Sequence, residues 1–283
     1  MRRLYKTSAV VVLMLGVLGL MTCTEREHSN PLDPEYGGGL LDVLQISSDS
    51  LDFGSVSVYD WADRSVTLAN TASQPVIIKI GTHDPQFRLL QPDSFFIGAG
   101  EERSIEFRYL PVAEGRHSGS IDLQTNTAAP PITITVNGTA QRNEHPPLVP
   151  FTQHSYLTAG SEFQLDILLG TEEKPVSDVK IVSFELGYDA DLVTYIDNSI
   201  KAGDLFENPS HTIIPENQKI SISVFDTQHV ANGYGKLVSL TFKVNYDNRT
   251  NMNLSLYFLK SLSNDLNGNI KIFSTKDAAL LIR

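Results

Sequence analysis

Residues 235–244 read Gly-Lys-Leu-Val-Ser-Leu-Thr-Phe-Lys-Val and place Leu240, Phe242 and Val244 at alternate positions. A period of two puts these side chains on one face of a β-strand. The same alternation recurs across residues 151–283, at Phe163/Leu165/Ile167, Phe184/Leu186/Tyr188, Ile220/Ile222/Val224 and Leu254/Leu256. About eight or nine strands of this kind predict a β-sandwich or jelly roll.

Residues 44–140 carry a second series of short alternating runs separated by turn residues. The runs are Val66/Leu68, Ile105/Phe107/Tyr109, Ile121/Leu123 and Ile132/Ile134/Val136. About seven such runs without helical periodicity are typical of a sandwich. The sequence therefore predicts an all-β chain of two tandem β-sandwiches, over residues 44–140 and 151–283.

Between the two halves, residues 141–150 contain Pro146, Pro147 and Pro150 and no apolar pattern. Proline fixes its own φ and favours extended conformations in the residue before it. We therefore expect a short, semi-rigid linker.

Composition excludes several classes of protein. The 283 residues include 33 acidic and 22 basic side chains, a formal net charge of −11. This acidity argues against a nucleic-acid partner, which would need clustered lysine and arginine. A single cysteine excludes a disulfide framework and a multi-cysteine zinc site.

The first residues have the pattern of an export signal. Arg2, Arg3 and Lys6 precede an apolar run over residues 9–21, which is too short to span a membrane. The only cysteine, Cys23, follows directly after Thr22, and this arrangement resembles a bacterial lipoprotein signal. The resemblance implies a signal peptide over residues 1–22 and a lipid attached to Cys23; Thr22 departs from the small residues that the family prefers there. The alternative is an ordinary secretory signal.

Residues 23–43, rich in proline and glycine, are expected to form a flexible spacer.

The first predicted sandwich resembles the hydin-type ASH group, also called choice-of-anchor D. The matching pieces, in order, are residues 51–56, 66–72, 75–76, 99–100, 105–107, 111, 115–119, 126 and 137–139. The resemblance implies an immunoglobulin-like domain without a catalytic role.

The second predicted sandwich resembles a cohesin domain. The matching pieces are residues 159–163, 184–189 with Leu192-Val193, 219–223, 235–244 and Asn267-Gly268. The resemblance implies a jelly roll that binds dockerin modules, the calcium-dependent docking tags of polysaccharide-degrading enzymes. It also implies that one sheet face forms the docking surface.

Alternation predicts which side chains lie on that face. If Phe184, Leu186, Ile220, Ile222 and Val224 are buried, then their neighbours in the strands point outward. The candidate partner-binding residues are Ser183, Glu185, Ser221, Ser223 and Phe225. Well-studied cohesins carry an Asn and an Asp on the first of these strands, where this chain has Ile181 and Ser183. For Phe225, the alternative is a ring that folds over the rim of the sandwich.

Catalytic and metal-binding motifs are not evident. The seven histidines show no local metal-ligand spacing. The segment Asp265-Leu266-Asn267-Gly268-Asn269 fits a tight Asn-Gly hairpin turn, because an EF-hand loop would need glycine and glutamate where Ile270 and Lys276 stand. A Gly-x-Ser-x-Gly elbow is also not found, since His117 occupies the centre of residues 115–119. We predict a protein that is not an enzyme and has no cofactor.

Together these patterns predict a non-catalytic lipoprotein of the bacterial cell envelope, anchored to the membrane by lipid at the outer membrane or cell surface. Its distal domain would bind a dockerin-bearing exported protein. Two alternatives remain open at this point: a carbohydrate-binding surface protein with a glycan partner, and a structural spacer in an envelope assembly.

Overall fold

The computed structural model describes residues 43–81, 84–127, 130–245 and 251–283. Within these ranges every regular element is a β-strand, and the strands form two successive sandwiches. The prediction of an all-β chain with tandem sandwiches is therefore confirmed. The signal peptide, Cys23 and all of the predicted spacer except Val43 lie outside the described residues. The described part of the chain contains no helix long and apolar enough to cross a membrane.

The first sandwich is built from the strands of residues 44–141. These are β1 (Leu44–Ile46), β2 (Ser50–Ser57), β3 (Ala62–Asn70), β4 (Val76–Ile80), β5 (Phe87–Leu89), β6 (Ser94–Ile97), β7 (Glu102–Tyr109), β8 (Gly115–Thr125) and β9 (Ile132–Gln141). One sheet has the order β1-β3-β7-β5 and the other β2-β9-β8-β4-β6. All pairs are antiparallel except β2 with β9, which run parallel.

The first core lies between these two sheets. In β7 the alternating residues Ile105, Phe107 and Tyr109 are all fully buried, as the period of two requires. The ring of Tyr109 stacks on Phe87 at a centroid distance of 4.9 Å, and its hydroxyl lies 2.6 Å from Nδ1 of His117. Burial raises the pKa of Tyr109 to about 12, with a smaller contribution from the charge of Asp84. The phenol therefore stays protonated at any physiological pH.

The second sandwich begins at residue 147. Its strands are β10 (Pro147–Phe151), β11 (Tyr156–Leu157), β12 (Glu162–Leu169), β13 (Val176–Val179), β14 (Ile181–Tyr188), β15 (Val193–Tyr195), β16 (Lys201–Ala202), β17 (Ser210–Glu216), β18 (Lys219–Phe225), β19 (Ala231–Gly233), β20 (Gly235–Val244), β21 (Met252–Asn264), β22 (Ser274–Thr275) and β23 (Ala278–Ile282). One sheet has the order β15-β20-β12-β10-β22, with β16 also paired to β20, and the other β11-β23-β21-β14-β18-β17. The short strands β13 and β19 pair with each other.

The second core is centred on Phe242 of β20, whose alternate residues Leu240 and Val244 are also buried. Phe242 is fully buried and stacks on Phe163 of β12 at 5.7 Å. The rings of Tyr188 and Tyr195 meet it edge-on at 5.2 and 5.8 Å. Such pairs add to the energy of burying apolar area, so these four rings form a stabilising aromatic cluster within this core.

The proline-rich segment differs from the expected linker. The structure places its second half in strand β10, which pairs with β12 through residues Leu148–Phe151 and with β22 through Pro147 and Leu148. Proline is tolerated there because Pro147 is the first residue of the strand, and Pro150 lies beyond the two residues that pair with β22. Residues 43–283 accordingly form one compact unit.

The Asn-Gly segment forms a turn, although not the two-residue hairpin turn that was expected. The Asp265 carboxylate accepts a bond from the Asn269 side-chain amide and backbone N–H bonds from Asn267 and Asn269, all at 2.8 Å. The Asn269 side chain first, and then the backbone N–H groups, hold the pKa of Asp265 below its ordinary value. Only Gly268 has a positive φ here, whereas a type I′ turn needs two such residues. The aspartate therefore closes a wider loop between Asn264 and Ile270.

Candidate functional site

The candidate site is the solvent side of four neighbouring strands, β17, β18, β14 and β21, which we call the outer face. Along β14, Val182, Phe184 and Leu186 are buried in the core, so Ser183 and Glu185 point to the opposite side. Along β18 the buried residues are Ile220, Ile222 and Val224, and the residues between them point outward.

Strand register brings the outward residues into rows that cross the sheet. One row contains Thr212, Ser223, Ser183 and Leu262. The next contains Ile214, Ser221, Glu185 and Lys260. Four of the five predicted partner-binding residues therefore lie side by side in two adjacent rows, while Phe225 belongs to a third.

The centre of the outer face is neutral and lined by hydroxyl groups. The Oγ atoms of Ser183 and Ser223 lie 2.8 Å apart and share a hydrogen bond. The residues of both rows line a shallow open depression of about 450 Å³. Its two sides are formed by Ile214, 61% exposed, and Leu262, 52% exposed. Exposed aliphatic side chains beside a neutral floor are suited to contact with another macromolecule, because their burial removes apolar surface from water.

One end of the outer face carries balanced charge. The Glu185 carboxylate lies 3.7 Å from Lys260 Nζ and 3.8 Å from Lys219 Nζ. Lys219 also lies 3.4 Å from Glu216. These pairs connect four strands, and their mixture of signs favours orientation of a partner over strong attraction to either charge.

An aromatic ring that sequence reasoning missed lies on the same face. Tyr257 of β21 is paired with Gly187 of β14. Its ring covers the glycine so closely that a Cβ at position 187 would come within 2.6 Å of the ring. The register shifts between Glu185 and Leu186, and alternation within one strand cannot reveal such a shift.

Phe225 occupies the rim of the outer face. It is the last residue of β18, paired with Ile181 and Ser210, and it is half-buried. Part of the Phe225 ring is therefore exposed, and its neighbour across the strands is the apolar Ile181. Whether these residues bind a partner stays a prediction.

The residue after Phe225 is a second one that sequence reasoning missed. The side chain of Asp226 is completely buried and accepts backbone N–H bonds from Gln228 at 2.7 Å, Asn208 at 2.9 Å and His229 at 3.0 Å. These bonds, with that from His229 the largest contribution, hold the pKa of Asp226 well below its ordinary value. A lone Asp after a strand is the available sequence signal, since such residues often bond to backbone N–H groups two residues on.

We expect Asp226→Asn to lower the melting temperature at neutral pH, because an amide accepts fewer and weaker bonds than a carboxylate. The native pKa is depressed, so the carboxylate stabilises the fold above its ordinary pKa of about 3.9, and this stabilisation is lost as pH falls toward the native pKa. Thermal melts between pH 3 and pH 7 check this: the difference between wild type and variant should shrink with acidity. A constant difference would contradict the assignment. Asp93→Asn, on an exposed residue, is the matched control.

Two other kinds of site, a metal site and a sugar-stacking platform, can be compared with the described residues. In the described ranges no group of three or more His, Cys, Asp or Glu side chains has an arrangement that could hold a metal ion. Trp61, the only tryptophan, is half-buried under the guanidinium of Arg108, whose central carbon lies 5.1 Å from the indole ring. It is therefore not a free platform on which a sugar ring could stack.

Two family models match the chain. Residues 42–139 match the HYDIN/CFA65/VesB-like, Ig-like domain. Residues 153–275 match the Cohesin domain, and this range includes the whole outer face. The chain is therefore an immunoglobulin-like sandwich followed by a cohesin-type sandwich, and domains of both kinds are non-catalytic modules. The cohesin match supports a protein-binding module.

Solved structures similar to each half differ widely from it in sequence. The non-cellulosomal cohesin from the hyperthermophilic archaeon Archaeoglobus fulgidus is 18% identical, with a TM-score of 0.41, over 49% of this chain and 91% of its own. A type I cohesin–dockerin complex from Clostridium thermocellum is 16% identical, with a TM-score of 0.41, over 50% of this chain and 100% of its own. The ASH/PapD-like domain 7 of human CEP192 is 13% identical, with a TM-score of 0.33, over 36% of this chain and 88% of its own. None of the curated proteins compared with the chain matches it.

Proposed function

We propose that this protein is a non-catalytic lipoprotein of the bacterial cell envelope whose cohesin-type sandwich docks a dockerin-bearing exported protein. The observation that carries the proposal is the outer face, a groove with a serine-lined floor, aliphatic sides and balanced charge at one end, on a domain that matches the cohesin family. The partner class follows from that family match, since dockerins are the partners that the resemblance to cohesins implies.

The outer face supplies three kinds of contact. The hydroxyls of Ser183, Ser221 and Ser223 offer donors and acceptors at the floor of the groove. Ile214 and Leu262 provide apolar area at its sides, and Glu185 with its lysines provides charge at one end. This chain lacks the polar Asn and Asp of well-studied cohesins, so its affinity would depend more on shape and apolar area than on that polar pair.

The test is capture by the immobilised full chain from the exported proteins of the source organism, with calcium and with EDTA, followed by mass spectrometry. We expect a protein that carries a dockerin module, retained with calcium and released by EDTA. If only proteins without a dockerin are retained, or none, the docking proposal is wrong. Retention on polysaccharide columns would then favour the glycan alternative, and its absence the spacer.

The anchoring part of the proposal has a separate test. Cys23→Ser should move the protein from the membrane fraction to the soluble fraction, because acyl chains on a single cysteine would be its attachment. Immunoblots of fractionated cells provide the measurement. Thr24→Ser, at the neighbouring position, is the matched control and should stay with the membrane. A Cys23→Ser protein that remained membrane-bound would contradict the lipoprotein assignment.

A further inference from the structure

The last strand, β23, belongs to the second sandwich, and it and the residues that flank it contact the first sandwich. Its backbone pairs with residues Met252–Leu256 of β21, the same strand that contributes Lys260 and Leu262 to the outer face. It also pairs in parallel with β11 through Leu281 and Ile282, so it is an integral strand of the second sandwich.

Side chains around β23 bind the first sandwich directly. Lys276 Nζ lies 2.8 Å from Oδ2 of Asp60, and the lysine side chain is only 13% exposed. Arg283 donates through Nε to the carbonyl of Leu90 and pairs through Nη2 with Glu106, both at 3.0 Å. We call these contacts the clasp.

A fourth contact of the clasp has its donor on the first sandwich and its acceptor on the second. Arg108 of β7 donates to the carbonyl of Ala279 in β23. The same guanidinium is held by a bidentate pair with Asp63, with both N···O distances at 2.8 Å, and it covers Trp61. Because Asp63 and Trp61 already fix the orientation of the Arg108 guanidinium, little side-chain entropy is lost when it bonds to the Ala279 carbonyl.

Strand β10 forms a second point of contact close to the clasp. Arg88 of β5 is buried, donates to the carbonyl of Thr152 at 2.9 Å and lies 5.1 Å from the ring of Phe151. Phe151 meets Tyr59 edge-on at 6.0 Å. A buried guanidinium must keep its partners because an unpaired buried charge is costly. This contact therefore resists opening of the joint.

We infer that the clasp and the Arg88 contact lock the two sandwiches into one rigid body, so that the outer face is held at a fixed orientation to the immunoglobulin-like sandwich. These contacts lie within the chain and do not depend on the identity of the partner. A flexible pair of domains would need a boundary that few contacts cross, whereas here both β10 and β23 are bonded to the first sandwich.

The test measures the spread of distances between the sandwiches. Spin labels are placed at Ser120→Cys and Ser261→Cys, exposed positions on β8 and β21, in a Cys23→Ser background. Wild type should give one narrow distance distribution and a single calorimetric unfolding transition. Asp60→Lys with Glu106→Lys places cations against Lys276 and Arg283, and it should broaden the distribution and split the transition in two.

The matched control is Asp93→Lys with Glu102→Lys, the same charge change at exposed positions of the first sandwich. It should leave the distribution narrow. If the clasp variant fails to fold, Lys276→Ala removes one contact alone and should still broaden the distribution. A broad distribution in wild type, or a narrow one in both the clasp variant and Lys276→Ala, would overturn the inference. Neither result affects the docking proposal, which is tested by capture.

Discussion

Phe242→Ala is expected to lower the free energy of unfolding by about 3–5 kcal/mol, the usual cost of truncating a fully buried phenylalanine. The reason is its place among three other rings, Phe163, Tyr188 and Tyr195, all within 6 Å of its centroid. Truncation would remove apolar contacts with both sheets and leave a cavity that β-strands fixed by ladder bonds cannot close.

Urea denaturation followed by circular dichroism measures this change in the free energy of unfolding. Phe96→Ala is the matched control, because Phe96 in β6 is 67% exposed and its truncation should have little effect. Equal losses in the two variants would show that Phe242 is not at the centre of the second core.

Ser183→Arg should reduce affinity for a dockerin-bearing partner by roughly 100-fold or more. Ser183 lies at the floor of the groove, with its Oγ 2.8 Å from that of Ser223. An arginine there would fill the depression and place a cation where docking removes water. An unpaired buried charge costs about 3–5 kcal/mol, and 1.4 kcal/mol corresponds to a factor of ten in affinity.

Titration calorimetry with the captured partner measures the effect on affinity. Ser120→Arg, on an exposed position of β8 in the first sandwich, makes the same chemical change away from the outer face. It should bind as wild type does. Unchanged binding by Ser183→Arg would show that a bound partner uses a surface other than the outer face.

Local alternation was sufficient to predict much of the fold and part of the candidate site. It assigned the strands around Leu186, Ile222 and Phe242 to the core, and it placed Ser183 and Glu185 on the opposite side of β14. This works because successive side chains of a strand point to opposite faces whatever the strand pairs with.

The features that the sequence does not predict depend on pairing between distant segments, and alternation within one strand carries no information about that pairing. The prolines of β10 predict a linker, and its pairing with β12 and β22 is what shows that this segment belongs to a sheet. Tyr257 joins the outer face through a register shift against β14. Asp226 accepts bonds from backbone N–H groups of two separate loops, so its stabilising role can be recognised only when the positions of both loops are known.

Strand β17 forms one edge of the sheet that carries the outer face, with β18 as its neighbour on one side. An unpaired edge is a template on which copies of a chain can polymerise, particularly where Ile214 is exposed beside it. Pro215 stands next to Ile214 and has no N–H to donate, so a foreign strand meets an interrupted ladder there. Copies of the protein would thus be protected from assembling edge to edge into insoluble sheets, while the groove beside that edge stays accessible.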